Sequence, residues 1–173
     1  YHRENLIREG IHPSKIIVTG NTTFEPLIHY QDKIKKSKIL NTLSLENSKY
    51  FLVTAHRAEN VDNQNTLNEI LNALLKIEEK HKIKIIFPMH PRTMSKIKDS
   101  KKYSKIQIIK PLGYYDFNKL IQNCKCMLSD SGTAAEEGLY YKKPVINLRM
   151  TTERIETIEA GSNIVSGLNE KNI

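Results

Sequence analysis

Several short polar clusters in this chain hold side chains that can grip an anion or handle a proton. They are His56-Arg57 with Glu59 and Asn60, His90-Pro91-Arg92, Asp130-Ser131-Gly132-Thr133, the pair Glu136-Glu137, and Arg149 with Thr151-Thr152-Glu153-Arg154. Small residues such as Ser131, Gly132 and Thr133 at a helix start expose backbone N–H groups, which favour a phosphate at the positive helix end. The same residues also suit plain N-capping, with Ser131 or Thr133 as the cap. Arg154, His56 and Arg57 near that loop favour the phosphate, because guanidinium groups pair with its oxygens in two-pronged fashion. A carboxylate one turn into the helix, Glu136 or Glu137, can accept both hydroxyls of a ribose. Phe117 can pack in the core or lie against a planar base. His90 fits a strand-end structural role and a ligand contact equally well.

The elements that must position these groups alternate. Tyr50–Thr54, Lys84–Pro88, Ile106–Ile109, Cys126–Ser129, Val145–Leu148 and Asn163–Val165 read as strands. Between them, helices are expected. The clearest carries Leu67, Ile70, Leu71, Leu74 and Leu75 on one face, and others span Thr93–Lys98, Tyr115–Gln122, Thr133–Tyr140 and Thr152–Ala160. Upstream, His2–Arg8 reads as a helix, Lys15–Thr19 as a short β run, and Thr22–Lys36 as one helix. This rhythm predicts an α/β fold: a doubly wound, mainly parallel, Rossmann-like sheet with helices on both faces. Ligands bind such sheets at the carboxyl ends of the strands, where all the clusters above fall. The opposite ends carry mostly lysines and turn residues. There is no Gly-x-Gly-x-x-Gly, which argues against a standard dinucleotide-binding half. Residues 1–40 are expected to be the tail of a preceding region with a connecting segment, and 41–173 the ligand-binding domain. The chain begins at Tyr1 in helical sequence and reads as part of a longer one.

Composition narrows the classes further. The 173 residues carry 27 Lys+Arg and 19 Asp+Glu, a net charge of +8. The excess sits largely in Lys33–Lys38 and Lys96–Lys105, without Trp and with no aromatics interleaved in a binding motif. That pattern describes a solvated surface, and no nucleic-acid partner is expected. No apolar run is long enough to span a membrane, and no membrane partner is expected. Cys124 and Cys126 are two apart and would share a face of a strand. They are expected to be reduced, which suits a cytoplasmic location, and no metal site is foreseen.

Taken in order, Val18-Thr19-Gly20-Asn21-Thr22, Val53 through Asn60, His90-Pro91-Arg92-Thr93, Pro111-Leu112-Gly113-Tyr114, Ser129 through Glu137, and Thr151-Thr152-Glu153-Arg154 resemble the non-hydrolysing UDP-N-acetylglucosamine 2-epimerases. The resemblance runs along nearly the whole chain and is to the C-terminal half of that family, which has the two-domain glycosyltransferase-B architecture. It implies an isomerase converting UDP-N-acetylglucosamine to UDP-N-acetylmannosamine by elimination and re-addition of UDP. It implies that Ser131, Gly132 and Thr133 hold the diphosphate, Glu137 the ribose, Phe117 the uracil and Arg154 a phosphate. His56 would stand beside the sugar and diphosphate as a catalytic group. In members under allosteric control, the positions of Arg57 and His90 touch a second nucleotide-sugar. No metal or nicotinamide cofactor is implied, the acid and base carboxylates belong to the other half, and the full-length protein is expected to be a homodimer. Two positions depart from the family pattern: Thr133 stands where a second glycine is common, and Ala58 where a second arginine is. Relatives acting on UDP-diacetamido-glucuronate share part of the pattern. A nucleotide-sugar-binding half without turnover and a glycosyltransferase are the remaining alternatives.

Overall fold

The computed structural model describes residues 1–99 and 101–173. The basic run 96–105 is therefore described except at position 100. Six strands form one sheet in the order β3-β2-β1-β4-β5-β6, where β1 is Tyr50–Thr54, β2 Lys84–Pro88, β3 Ile106–Ile109, β4 Cys126–Ser129, β5 Val145–Asn147 and β6 Asn163–Val165. Every neighbouring pair is parallel. The central strands are apolar on both faces, as strands covered on two sides must be. Phe51, Val53, Ile85 and Phe87 face one layer, where Leu67, Ile70, Leu71 and Leu74 of the helix Gln64–His81 pack on them. Tyr50, Leu52, Ile86 and Met127 face the other, against Leu120, Ile121, Ala134 and Ala135.

Ten α-helices are described. Upstream of the sheet lie α1 His2–Arg8, α2 Phe24–His29, α3 Gln31–Lys36 and α4 Ile39–Thr42. Between strands come α5 Ala58–Val61, α6 Gln64–His81, α7 Pro91–Met94, α8 Tyr114–Asn123, α9 Gly132–Tyr140 and α10 Ile155–Glu159. Asn63 caps α6 by accepting from the N–H groups of Asn65 and Thr66, and Lys82 ends it in the left-handed conformation. Helix α9 lies close to β5. A Cβ on Gly138 would stand 2.5 Å from Val145 Cγ2, so any larger residue forces a shift there. Helix α2 packs on α9, and α3 and α4 pack on α8, burying Leu27, Ile34 and Ile39.

The sequence reading departs from the structure in four places. Lys15–Thr19 forms no strand. It is a helical turn followed by extended chain, with Ile17 83% and Val18 73% exposed. Its β-branched residues favour an extended backbone but find no ladder to join. The helix expected over Thr22–Lys36 breaks at Tyr30, whose ring packs edge-on to Tyr115 and redirects the chain from α9 toward α8. The helices expected at Thr93–Lys98 and Thr152–Ala160 are shorter and offset, at Pro91–Met94 and Ile155–Glu159. Cys124 and Cys126 do not share a face. Cys124 ends α8, while Cys126 opens β4 and packs into the opposite layer. Among the described residues, no helix is long and apolar enough to cross a membrane.

Candidate functional site

The chain runs outward from β1 through β2 to β3, then returns to lay β4 on the other side of β1. The connections leaving β1 and β4 therefore part in opposite directions, and a crevice opens between their carboxyl ends. His56 follows β1 and Asp130 follows β4, so the two flank that crevice.

Asp130 is fully buried and draws the two loops together. Its Oδ2 accepts from the N–H groups of His56 (3.0 Å) and Arg57 (2.9 Å) and from Asn60 Nδ2 (3.0 Å). Asn60 also donates to the carbonyl of Leu148, 3.0 Å away, which ties in the end of β5. His56 Nδ1 lies 3.6 Å from Asp130 Oδ1, and its side chain is 55% exposed toward the open edge. The loop after β2 is tethered likewise. The Thr93 hydroxyl is buried and donates to the Ala55 carbonyl at 3.3 Å. His90 caps the four-residue α7 by accepting from the Arg92 N–H, and Arg92 pairs with Asp62. These tethers place His56, His90 and Phe117 around a cavity of about 220 Å³, whose walls include Pro88, Pro111 and Leu112. Arg57 is not on that wall. Its guanidinium lies 3.4 Å from Glu59.

Helix α9 begins directly beyond Asp130. Ser131 caps it by accepting from the Ala134 N–H at 3.4 Å, so the capping function is present. The first-turn N–H groups of Gly132 and Thr133 have no earlier helical carbonyl to meet and remain available to an anion. Thr133 is exposed in that first turn. Gly132 leaves room for two side chains: a Cβ there would lie 3.3 Å from Arg154 Nε and 3.2 Å from Glu153 Oε1. Its absence lets Arg154 rest on the start of α9. Arg154 is held there by Glu136, whose Oε1 is 3.0 Å from Nε, off the line of the N–H, making an ion pair without a hydrogen bond. Glu136 Oε2 accepts from the Thr23 hydroxyl at 2.9 Å. Thr23, Glu136 and Arg154 line a second concavity of about 530 Å³ together with Gly20, Asn21 and Val18.

Glu137 points away from Arg154. It is buried beside α8 and accepts from Asn118 Nδ2 at 3.3 Å. Burial pushes its carboxyl up to about 7. The Asn118 hydrogen bond opposes that rise, and neighbouring Glu136 adds to it. A carboxyl desolvated in this way is a mark of functional sites.

The structure thus gathers Ser131, Gly132, Thr133 and Arg154 at one helix start, and His56, His90 and Phe117 at an adjoining cavity, with Glu137 behind the helix. It separates Arg57 from the cavity. The sequence reading set Asp130 at the ligand edge without its role as a loop anchor, and it passed over Thr23 and Asn118. Asp130 alone carried a signal, an acid wedged between a buried strand and a run of small residues. Among the described residues no cluster of three or more His, Cys, Asp or Glu could hold a metal ion.

Comparison with known proteins places this geometry. The family model described as UDP-N-acetylglucosamine 2-epimerase matches residues 1–173. The UDP-N-acetylglucosamine 2-epimerase of Methanocaldococcus jannaschii is 39% identical over 181 residues, covering 99% of this chain and 49% of the relative. Its crystal structure in complex with UDP-GlcNAc and UDP superposes with a TM-score of 0.87 over 98% of this chain and 49% of that one. The Neisseria meningitidis UDP-GlcNAc 2-epimerase bound to UDP-GlcNAc is 32% identical, with a TM-score of 0.88 over 98% of this chain and 48% of that one. The chain spans about half the length of these relatives, and its parallel sheet corresponds to one half of their glycosyltransferase-B-type fold. A family match over the whole chain, with the ordered motifs and the same fold, means that it belongs to the UDP-N-acetylglucosamine 2-epimerase family.

Proposed function

We propose that this chain is the UDP-binding half of an enzyme that inverts C2 of UDP-N-acetylglucosamine. A base removes the C2 proton as UDP leaves C1, giving a glycal. UDP then adds back to C1 as a proton returns to the other face of C2. UDP must stay bound while the glycal waits, so contacts to the diphosphate contribute to catalysis as well as to binding. In this reading the N–H groups of Gly132 and Thr133, with Ser131, take the diphosphate, and Arg154 pairs with a phosphate. Glu137 takes the ribose hydroxyls, and Phe117 borders the uracil in the small cavity. His56 stands between diphosphate and sugar, and Arg57 and His90 are candidates for a second, regulatory nucleotide-sugar.

The observation that carries the reading is the meeting of Arg154, laid across the side-chain-free Gly132, with the open first turn of α9 at the sheet's crevice. A second observation supports a division of labour. The carboxylates at this edge are engaged: Asp130 by amides, Glu136 by Arg154, Glu137 by Asn118, Glu153 by Arg149 and Glu59 by Arg57. The base that reaches C2 is therefore assigned to the other half of the whole protein.

The test has two arms. This chain alone, titrated with UDP and followed by NMR, is expected to bind in the high micromolar to millimolar range, about −4 to −5.5 kcal/mol, and to exchange no C2 proton. The whole protein, incubated with UDP-N-acetylglucosamine in D2O without an acceptor, is expected to place deuterium at C2. C2 exchange by this chain alone, or sugar transfer only when an acceptor is added, overturns the proposal.

A further inference from the structure

Asp130 does more than close a gap between loops. Its two oxygens are used differently. Oδ2 gathers three donors: the His56 and Arg57 N–H groups and the Asn60 amide. Oδ1 is left with a longer contact to the His56 N–H, at 3.2 Å, and with the His56 ring, whose Nδ1 is 3.6 Å away. Anchoring the loop is a task for Oδ2. Oδ1 faces an imidazole that is half exposed on its other side.

We propose that Asp130 is a positioning residue that fixes which nitrogen of His56 meets the ligand. It rests on the reading of His56 as a ligand-facing side chain. An ionised carboxylate only accepts hydrogen bonds, so the ring nitrogen turned toward it carries the proton. Nδ1 is then N–H, and Nε2 is presented at the open edge. A ring held this way turns Nε2 toward a phosphate oxygen or toward the proton that bonds to it. The carboxylate is fully buried, so its field at the ring is poorly screened. The other charged or titratable groups facing His56 are few. His90 shares the cavity wall from the β2 loop. Arg57 and Glu59, from the ring's own loop, pair with each other. The separation of 3.6 Å is a loose contact that a bound anion would draw closer.

Asp130→Asn separates this role from loop anchoring. The amide oxygen can replace Oδ2 and keep its three donors, the His56 N–H giving up only its longer contact to Oδ1, while the amide NH2 replaces Oδ1 and presents a donor to the ring. Nδ1 must then be the bare nitrogen, and Nε2 carries the proton. Long-range 1H–15N NMR of the uniformly labelled chain reads the tautomer directly. The expected result is protonated Nδ1 in the unsubstituted chain, protonated Nε2 in Asp130→Asn, and UDP binding weakened about tenfold, with no further loss in a His56→Ala background. A neutral ring protonated at Nε2 in the unsubstituted chain overturns the proposal, whether or not the variant folds. So does an equal loss of UDP affinity in the His56→Ala background, which would mark Asp130 as a loop anchor alone. If His56→Ala binds UDP as tightly as the unsubstituted chain, the ligand role of His56 fails, and the NMR tautomers still decide what Asp130 does to the ring.

Discussion

Replacing Glu137 with glutamine should make the protein more stable and a poorer binder of ribonucleotides. The carboxyl is raised from its ordinary 4.5 to about 7 because it is buried beside α8. Below pH 4.5 the group is protonated in both the folded and the unfolded chain, and it contributes no pH-dependent penalty. As pH rises from 4.5 to 7, the unfolded chain releases the proton while the folded one holds it, so stability falls through that window. Above pH 7 both are ionised and the loss is complete. A rise of this size corresponds to about 3 kcal/mol at full development. Glutamine keeps the shape and can still accept from Asn118, but it has no charge to desolvate. The variant should therefore melt roughly 6–12 °C higher at pH 8 and at nearly the same temperature at pH 4. Thermal melts followed by circular dichroism across pH 4–8 provide the assay. A melting difference that does not depend on pH, or a variant less stable at pH 8, would refute the argument. The cost appears in binding. An ionised carboxylate accepts two hydroxyl bonds strongly, so UDP should lose more affinity than its 2′,3′-dideoxy counterpart. Equal losses would leave Glu137 without a ribose to hold.

Arg154→Ala should weaken UDP by about 2–3 kcal/mol by calorimetry, the loss of a charge-assisted pair, and unchanged affinity in a folded variant would remove it from the phosphate site. Gly132→Ala should also weaken UDP while leaving the fold intact, since the new methyl meets only the movable ends of Arg154 and Glu153. Gly138→Ala should act oppositely, lowering the melting temperature through a clash with Val145 worth about 1–3 kcal/mol and leaving the chemistry of the edge untouched.

The sheet was legible because each strand is a short apolar run bounded by turn residues, and α6 because its leucines repeat at helical spacing. Those signals are local. The run Lys15–Thr19 misled for the same reason: its residues favour extension, and pairing is decided by chain far away. At the break, Tyr30 packs on Tyr115, some eighty positions on, a contact that no local pattern contains. The site divides likewise. Ser131, Gly132, Arg154 and His56 stand where strands end, which sequence can place. Glu136 and Glu137 are adjacent and look alike. Only the packing of α9 gives one to Arg154 and Thr23 and the other to Asn118.

The placement of the two cysteines on opposite layers turns them into a pair of chemical clocks. Burial pushes the Cys124 thiol up to about 12 and the Cys126 thiol up to about 11, so the reactive thiolate is scarce while the chain is folded. Alkylation of the buried Cys124 then waits for an opening event, while the half-buried Cys126 reacts slowly in the folded chain and faster once its layer loosens. Cys124 becomes reactive when α8 lifts from the sheet, and Cys126 more so when the α6 side loosens. Mass spectrometry of peptides alkylated for increasing times would time the two layers separately within one molecule, with no label added. Equal rates would mean the layers come apart as a single cooperative unit. A faster clock on one face would identify the layer that opens first.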